Sequence, residues 1–206
     1  MTVTISRLYD NYNDAERAVR RLEGAGVPYS DISIVANNSD SWFSTDKKVD
    51  RDRDGVDDRA EGAGKGAGIG AGVGGTAGLL AGLGLLAIPG LGPVVAAGWL
   101  AATAVGAAAG AATGGIVGAL TEAGISREDA DTYAEGVRRG GTLVSARVPD
   151  ADRSRLDSIL KESSVNLRDR SANWQKAGWK SFDPASQPYG AEEVRKERQL
   201  YGGSVR

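Results

Sequence analysis

A charge-free stretch from Gly66 to Thr121 constrains this chain more than any other feature. It is built almost entirely of Gly, Ala, Leu, Val and Ile, and the run Ile88–Pro93 divides it into two parts. Glycine recurs every four residues in both parts, at Gly66, Gly70, Gly74, Gly78 and Gly82, and again at Gly106, Gly110, Gly114 and Gly118. On a helix this spacing lines glycine along one side, where another helix can approach closely. The pattern is a glycine zipper, and it predicts helix packing and no chemical activity.

The two parts of this stretch predict an antiparallel helical hairpin over residues 63–121. Helices from Gly66 to Ala87 and from Val94 to Leu120 would be about 33 and 40 Å long, and a hydrocarbon core is about 30 Å thick. Pro89 and Pro93 supply the turn, with large apolar residues at the apex. Neither helix has a polar side, so lipid or protein must cover both.

Two environments satisfy that demand. In the first, hairpins oligomerise in the inner membrane and a headpiece faces the cytoplasm, so that membrane lipid and further copies of the chain are the partners. In the second, hairpins of many copies pack into a soluble filament, sheet or shell. A hairpin hidden inside one soluble monomer is the least expected arrangement, because the short flanking elements offer too little apolar surface to cover it.

The segment before the hairpin, residues 1–37, predicts a strand, a helix and a second strand. Val3 and Ile5 alternate with polar residues, Asn13 with Glu16 forms a capping box, and the second strand covers Ile32 to Val35. A crossover of this length joins two parallel strands. The segment is therefore one β-α-β unit.

The segment after the hairpin, residues 122–170, predicts a further helix and a second β-α-β unit. Ser126 with Asp129 begins the helix. A strand, a helix and a last short strand follow, at Leu143 to Val148, at Leu156, Ile159 and Leu160, and at Val165 to Leu167. Together the two units predict an α+β, ferredoxin-like fold, a four-stranded sheet with helices on one face and the hairpin inserted in its middle connection.

The acidic linker, residues 38–62, matches a twelve-residue calcium loop. Its candidate ligands are Asp50, Asp52, Asp54, Asp58 and Glu61, with Gly55 at the sharp turn. Calcium is the only cofactor that the sequence offers. Two basic residues between the carboxylates, and the lack of a helix before Asp50, favour instead a solvated linker whose acidic end stabilises the following helix.

Composition excludes several function classes. The chain has no cysteine and no histidine, which removes disulfides, thiolate or imidazole metal sites and histidine-based catalysis. A formal charge of −2 means that the chain has no excess of basic residues for binding nucleic acid. The first residues lack the pattern of a secretory signal, so we expect the N-terminus to remain in the cytoplasm. No nucleophile–base pair or phosphate loop is present, and we expect no enzyme activity.

The C-terminal tail, residues 171–206, interleaves aromatic and basic residues. The aromatic residues are Trp174, Trp179, Phe182, Tyr189 and Tyr201, and Ala191 to Leu200 predicts a short helix. Aromatic rings beside cations suit a lipid headgroup zone or a neighbouring subunit. They equally suit a tail that covers an exposed sheet edge of its own domain.

Several of these runs together resemble one family. They are Arg7–Tyr12, Ile32–Asn37, Asp54–Gly64, the zipper and Tyr133–Gly141, and they resemble the bacterial general stress proteins of the 17M-like, heat-induced stress group over roughly residues 2–148. The resemblance implies a stress-induced bacterial protein without known catalysis, and the family offers no catalytic residues to transfer. Its typical short members lack so long a zipper, and the tail from Trp174 resembles extensions on longer members.

Overall fold

The computed structural model describes residues 1–39, 41–43, 84–88, 90–108 and 115–201. They form an α+β structure around one antiparallel sheet of five strands in the order β1-β5-β2-β4-β3. The strands are β1 (Thr2–Tyr9), β2 (Ile32–Asn37), β3 (Gly84–Ile88), β4 (Gly92–Gly98) and β5 (Thr142–Pro149). Because β1 and β2 are both antiparallel to β5, they run in the same direction, as the β-α-β pattern predicts.

Seven α-helices accompany the sheet in the described ranges. They are α1 (Tyr12–Gly24), α2 (Trp99–Ala108), α3 (Gly115–Glu122), α4 (Arg127–Arg138), α5 (Arg153–Lys161), α6 (Leu167–Lys176) and α7 (Ala191–Tyr201). Single 3-10 turns at Tyr29–Asp31 and Asp150–Asp152 precede β2 and α5. Among the described helices, none has both the length and the apolar character needed to cross a membrane.

Helix α1 forms where its apolar period predicts it, but its cap differs from the prediction. Asn11, and not Asn13, is the N-cap, and its side chain accepts a hydrogen bond from the Asp14 amide. Asn11 also donates to the Asp14 carboxylate at 2.8 Å, so both polar ends of its amide are satisfied. Asn13 lies exposed in the first turn. Helix α4 begins as predicted, because the Ser126 side chain caps the Asp129 amide.

The sheet is covered on both faces, and the prediction of helices on one face is wrong. Helices α1 and α5 pack against one face, burying apolar residues such as Leu22 and Leu156 against Ile34 and Val144. Helices α2, α3 and α4 pack against the other face, around Leu100, Leu120 and Val137. Alternate residues of β2 and β5 serve the two faces, which is why both strands are buried along nearly their whole length.

The predicted pair of continuous helices, from Gly66 to Ala87 and from Val94 to Leu120, is wrong for residues 84–98. Strands β3 and β4 form a β-hairpin there, and β4 pairs antiparallel with β2. Its turn lies at the predicted break, where Gly90 and Gly92 have φ of +75° and +81°. The apolar apex thus adds two strands to a sheet of three, because β2 has an edge that needs a hydrogen-bonding neighbour. In the described part of the second predicted helix, α2 and α3 are the helical segments.

The predicted last strand, Val165 to Leu167, is also wrong. The Val165 amide donates one hydrogen bond of 2.8 Å to the Leu8 carbonyl on the outer edge of β1. Leu167 already begins α6, because Asn166 caps that helix by accepting from the Asp169 amide. The chain therefore touches β1 once and turns away.

Candidate functional site

The predicted calcium ligands and most of the zipper glycines lie outside the described residues. The former are Asp50, Asp52, Asp54, Asp58 and Glu61, and the latter are Gly66, Gly70, Gly74, Gly78, Gly82, Gly110 and Gly114. Gly106 lies in α2 and Gly118 lies half-buried in α3. These two helices pack against one another. Within the described ranges, no group of three or more acidic residues is placed to hold a metal ion.

The apolar residues predicted for the hairpin apex lie in the core of the chain's own domain. Leu91, Val94, Val95 and Leu100 have no solvent exposure. The neighbouring helix α3 buries Ile116, Val117, Ala119 and Leu120. The expectation that a single chain cannot cover this region is therefore wrong for residues 90–100 and 115–122, because the sheet and α4 supply the missing apolar surface.

In the structure the C-terminal tail packs against its own domain. Trp174 is 1% exposed and Phe182 is 7% exposed, and both belong to the cluster on the α4 side of the sheet. Trp179 packs edge-on against Trp174 with ring centroids 5.9 Å apart. Trp174 and Phe182 are covered by protein, and Trp179 is partly buried beside them.

The tail also covers the β3–β4 turn. A Cβ atom on Gly90 would lie 2.8 Å from the Phe182 ring, and one on Gly92 would lie 2.8 Å from the Pro188 side chain. Both glycines have positive φ, so their backbone conformation and the close tail contact favour glycine independently. The turn and the tail fit together as one packed unit.

A buried charge network joins the tail to α4. Glu135 is fully buried, and Arg139 donates to it at 2.5 Å and to Glu197 of α7 at 3.1 Å. The Trp174 indole N–H donates to the same Glu197 oxygen at 2.8 Å. Burial alone would lower the pKa of the Arg139 guanidinium, but the two carboxylates beside it raise that pKa above its ordinary value. The two carboxylates hold the Arg139 guanidinium, whereas the second Glu135 oxygen and the Arg138 Nε are buried without a hydrogen-bond partner among the described residues.

Aromatic rings enclose this network. The Arg139 guanidinium lies 4.9 Å from the Trp174 ring centre, and Tyr189 lies 4.8 Å from Arg138 and 5.3 Å from Arg139. Burial raises the pKa of the Tyr189 hydroxyl above its ordinary value. Arg170 and Asp10, 2.9 Å apart, form a further ion pair between the tail side and the end of β1.

Sequence reasoning missed this network. The spacing of Glu135, Arg138 and Arg139 at i, i+3 and i+4 was visible as a possible set of helix ion pairs. The third partner, Glu197, lies 58 residues beyond Arg139, and no local pattern connects the two. Only the fold of the tail brings that carboxylate to α4.

A row of small polar residues crosses the sheet beneath α4. Ser6, Ser145 and Ser33 are in register on β1, β5 and β2, and Gly98 of β4 follows. The Ser6 and Ser145 hydroxyls lie 2.7 Å apart, and Ser33 donates to the Ala97 carbonyl at 2.9 Å. These hydroxyls bond to one another and to the main chain, so they serve packing between sheet and helices.

One surface cleft of about 330 Å³ lies between the sheet and helices α2 and α3. Its lining includes Trp99, Glu122 and Arg147, and the Arg147 guanidinium stacks 4.3 Å above the Trp99 ring. The cleft is open, and Glu122 and Arg147 are exposed at its rim. It has the size of a small-molecule site without convergent buried polar groups.

Comparison with known proteins yields no relative, since no protein-family model, curated protein or solved structure matches the chain. The resemblance to the stress-protein group therefore stays a prediction from the sequence.

Proposed function

We propose that this chain is a non-enzymatic bacterial stress-response protein that associates with further copies of itself through its Gly/Ala-rich segment. The described residues serve as a headpiece, an α+β unit whose antiparallel sheet is extended by the β3–β4 hairpin. The assignment to stress response rests on the sequence resemblance alone.

The observation that carries self-association over membrane insertion is the burial of the predicted apex. A membrane hairpin needs large apolar residues at its tip to reach across the bilayer. Leu91, Val94 and Leu100 are instead used in the headpiece core. The remaining sequence, residues 66–83, is dominated by Gly and Ala. Such residues contribute little to partition into lipid, yet they allow close contact between helices of different copies.

The absence of charge from Gly66 to Thr121 keeps lipid as the second candidate environment. An uncharged segment has no large barrier to entering a bilayer. In that case the copies would associate within the inner membrane, with the headpiece in the cytoplasm. The two candidates share the same helix contact and differ in what surrounds it.

The test is purification of the full chain without detergent, followed by light scattering and negative-stain microscopy. We expect large regular particles in the soluble fraction, and we expect Gly74→Leu or Gly110→Leu to reduce them at least tenfold by separating the helices. Gly24→Leu is the matched control, because a Cβ on Gly24 meets no atom within 4 Å. A chain found only in carbonate-resistant membranes would favour lipid, and a monomer unaffected by all three changes would refute both candidates.

A further inference from the structure

The C-terminal part of the chain is attached to the headpiece mainly through side chains. We define residues 164–201, which contain α6 and α7, as the strap. Trp174, Phe182 and Val194 are buried against the headpiece. Ion pairs join Arg170 to Asp10 and Glu197 to Arg139. An identical strap from a second copy would offer the same groups in the same order.

The link between headpiece and strap is a strained turn. Glu162 has φ −64° and ψ 126°, Ser163 has φ +61°, and the Ser164 amide donates to the Lys161 carbonyl at 3.2 Å. These values describe a type II β-turn, whose third residue is normally glycine because it needs positive φ. Ser163 carries a Cβ in the left-handed region, which sterically disfavours this turn.

This turn is what directs the strap back onto its own headpiece. With Ser163 in an extended conformation, the strap would leave its own domain and could reach a neighbour. Short strained hinges favour exchange of identical elements between copies, because the exchanged form keeps every contact and relieves the hinge.

We propose that two copies of this chain exchange their straps, each strap docking on the α4 face of the partner. The occupant is specified by charge, since Arg170 requires a carboxylate at the end of β1 and Glu197 requires a cation at the end of α4. A second copy presents both, together with the cavity for Trp174. This contact between copies is separate from the Gly/Ala association proposed above.

The first test uses the absence of cysteine from the native chain. One preparation carries Asp10→Cys and another carries Arg170→Cys. The two are mixed and unfolded in urea, refolded together by removing the urea, and then treated with a short bismaleimide. Exchange predicts a covalent dimer at least tenfold more abundant in the mixture than in either preparation alone. If the mixture gives no more dimer than the separate preparations, the proposal is overturned.

The second test changes the hinge with a matched pair of variants. Ser163→Gly accepts positive φ and favours the closed chain, whereas Ser163→Pro enforces negative φ. Proline fits sterically because Glu162 is already extended, and the Ser163 amide donates no main-chain hydrogen bond among the described residues. With Gly74→Leu present in both variants, so that Gly/Ala association does not mask the dimer, we expect light scattering to show at least a tenfold higher dimer fraction for Ser163→Pro than for Ser163→Gly.

A Ser163→Pro chain that stays monomeric, with red-shifted tryptophan fluorescence from an undocked strap, would overturn strap exchange. The Ser163→Pro dimer should persist when Gly74→Leu is added. Loss of large particles with retention of this dimer would show that the two contacts are independent, so failure of either proposal is recognised separately.

Discussion

Arg139 is the residue whose removal should damage the structure most clearly without creating a large cavity. Its side chain is 13% exposed, and it lies between Glu135, which is fully buried, and Glu197, which is 12% exposed. In Arg139→Ala, Glu135 keeps only Arg138, whose nearest nitrogen is 3.5 Å away. A buried carboxylate that has lost its main partner is the costly product of this change.

The expected loss follows from that geometry. Breaking a buried ion pair by removing one partner costs about 3–5 kcal/mol, and loss of the contact with the Trp174 ring adds about 0.5–2 kcal/mol. We take about 4 kcal/mol as the expected decrease in the free energy of unfolding. For a chain of this size that corresponds to a lower melting temperature by about 8–16 °C.

The assay is urea unfolding followed by circular dichroism at 222 nm, with tryptophan fluorescence to report on Trp174. Arg20→Ala is the matched control, because Arg20 also pairs with a glutamate four residues away, Glu16, at 2.7 Å, but at the surface. Exposed helix pairs contribute little, and we expect no resolvable change.

A rescue variant distinguishes the stability lost by burying an unpaired charge from the stability lost with the packing of Arg139. Adding Glu135→Gln to Arg139→Ala removes the uncompensated carboxylate, so the double variant should be more stable than Arg139→Ala alone. If Arg139→Ala lowers stability no more than Arg20→Ala, or if Glu135→Gln gives no rescue, the network does not hold the tail on the headpiece.

Two further predictions concern the core. Burial raises the pKa of the Tyr9 hydroxyl above its ordinary value near 10, so the stabilisation it gives is present below pH 10 and is lost as pH rises above it. Between pH 10 and 12, unfolding free energies should fall about 1.4 kcal/mol per pH unit more steeply in the native chain than in Tyr9→Phe; equal slopes would contradict this. Gly136→Ala should destabilise by about 1–3 kcal/mol despite the better helix propensity of alanine, because the new Cβ would lie 2.4 Å from Leu8 Cδ2. Gly24→Ala, with open space around it, should not destabilise, and thermal unfolding of the pair measures the difference.

The elements with one polar and one apolar side were predictable from the sequence. Helix α1 has its buried residues Ala15, Ala18 and Leu22 at helical spacing, and β5 lies where alternating apolar residues place it. Such patterns fix both the type of element and the side that faces the core. The errors outside the charge-free region were the cap at Asn11, the last strand at Val165, the unpredicted helix α6 and the placement of all helices on one face.

The charge-free region was not predictable in the same way, because it has no polar residue to mark a period. A uniform apolar run fits a helix and a buried strand equally well, and only length and residue type can separate them. Length favoured a helix here. The β-branched pair Val94–Val95 favoured a strand, and the structure follows the pair.

The partner of the C-terminal aromatic residues could not be predicted from the sequence either. The tail aromatics were identified from the sequence, but their partner could not be, because lipid, a neighbouring subunit and the chain's own sheet all offer apolar surface. In the structure the rings pack on the chain's own domain, where the Glu197 carboxylate accepts from both Arg139 and Trp174. That pairing joins residues far apart in sequence and follows from the fold alone.

What determined the conformation of the apolar hairpin lies outside it, on the edge of β2. Strand β5 pairs with one side of β2, and the other side would leave the main-chain groups of Ser33 to Asn37 without partners if residues 84–98 were helical. Unpaired main-chain groups beside a buried strand are costly. Strand β4 satisfies them, and Gly98 makes this pairing possible, since a Cβ there would lie 2.2 Å from the Ile32 carbonyl oxygen. The glycines that set the conformation here are those with positive φ at turns, Gly90, Gly92 and Gly98. None of the three belongs to the four-residue series, so glycine spacing and glycine conformation carry separate information: the first concerns contact between helices, and the second concerns where the chain turns.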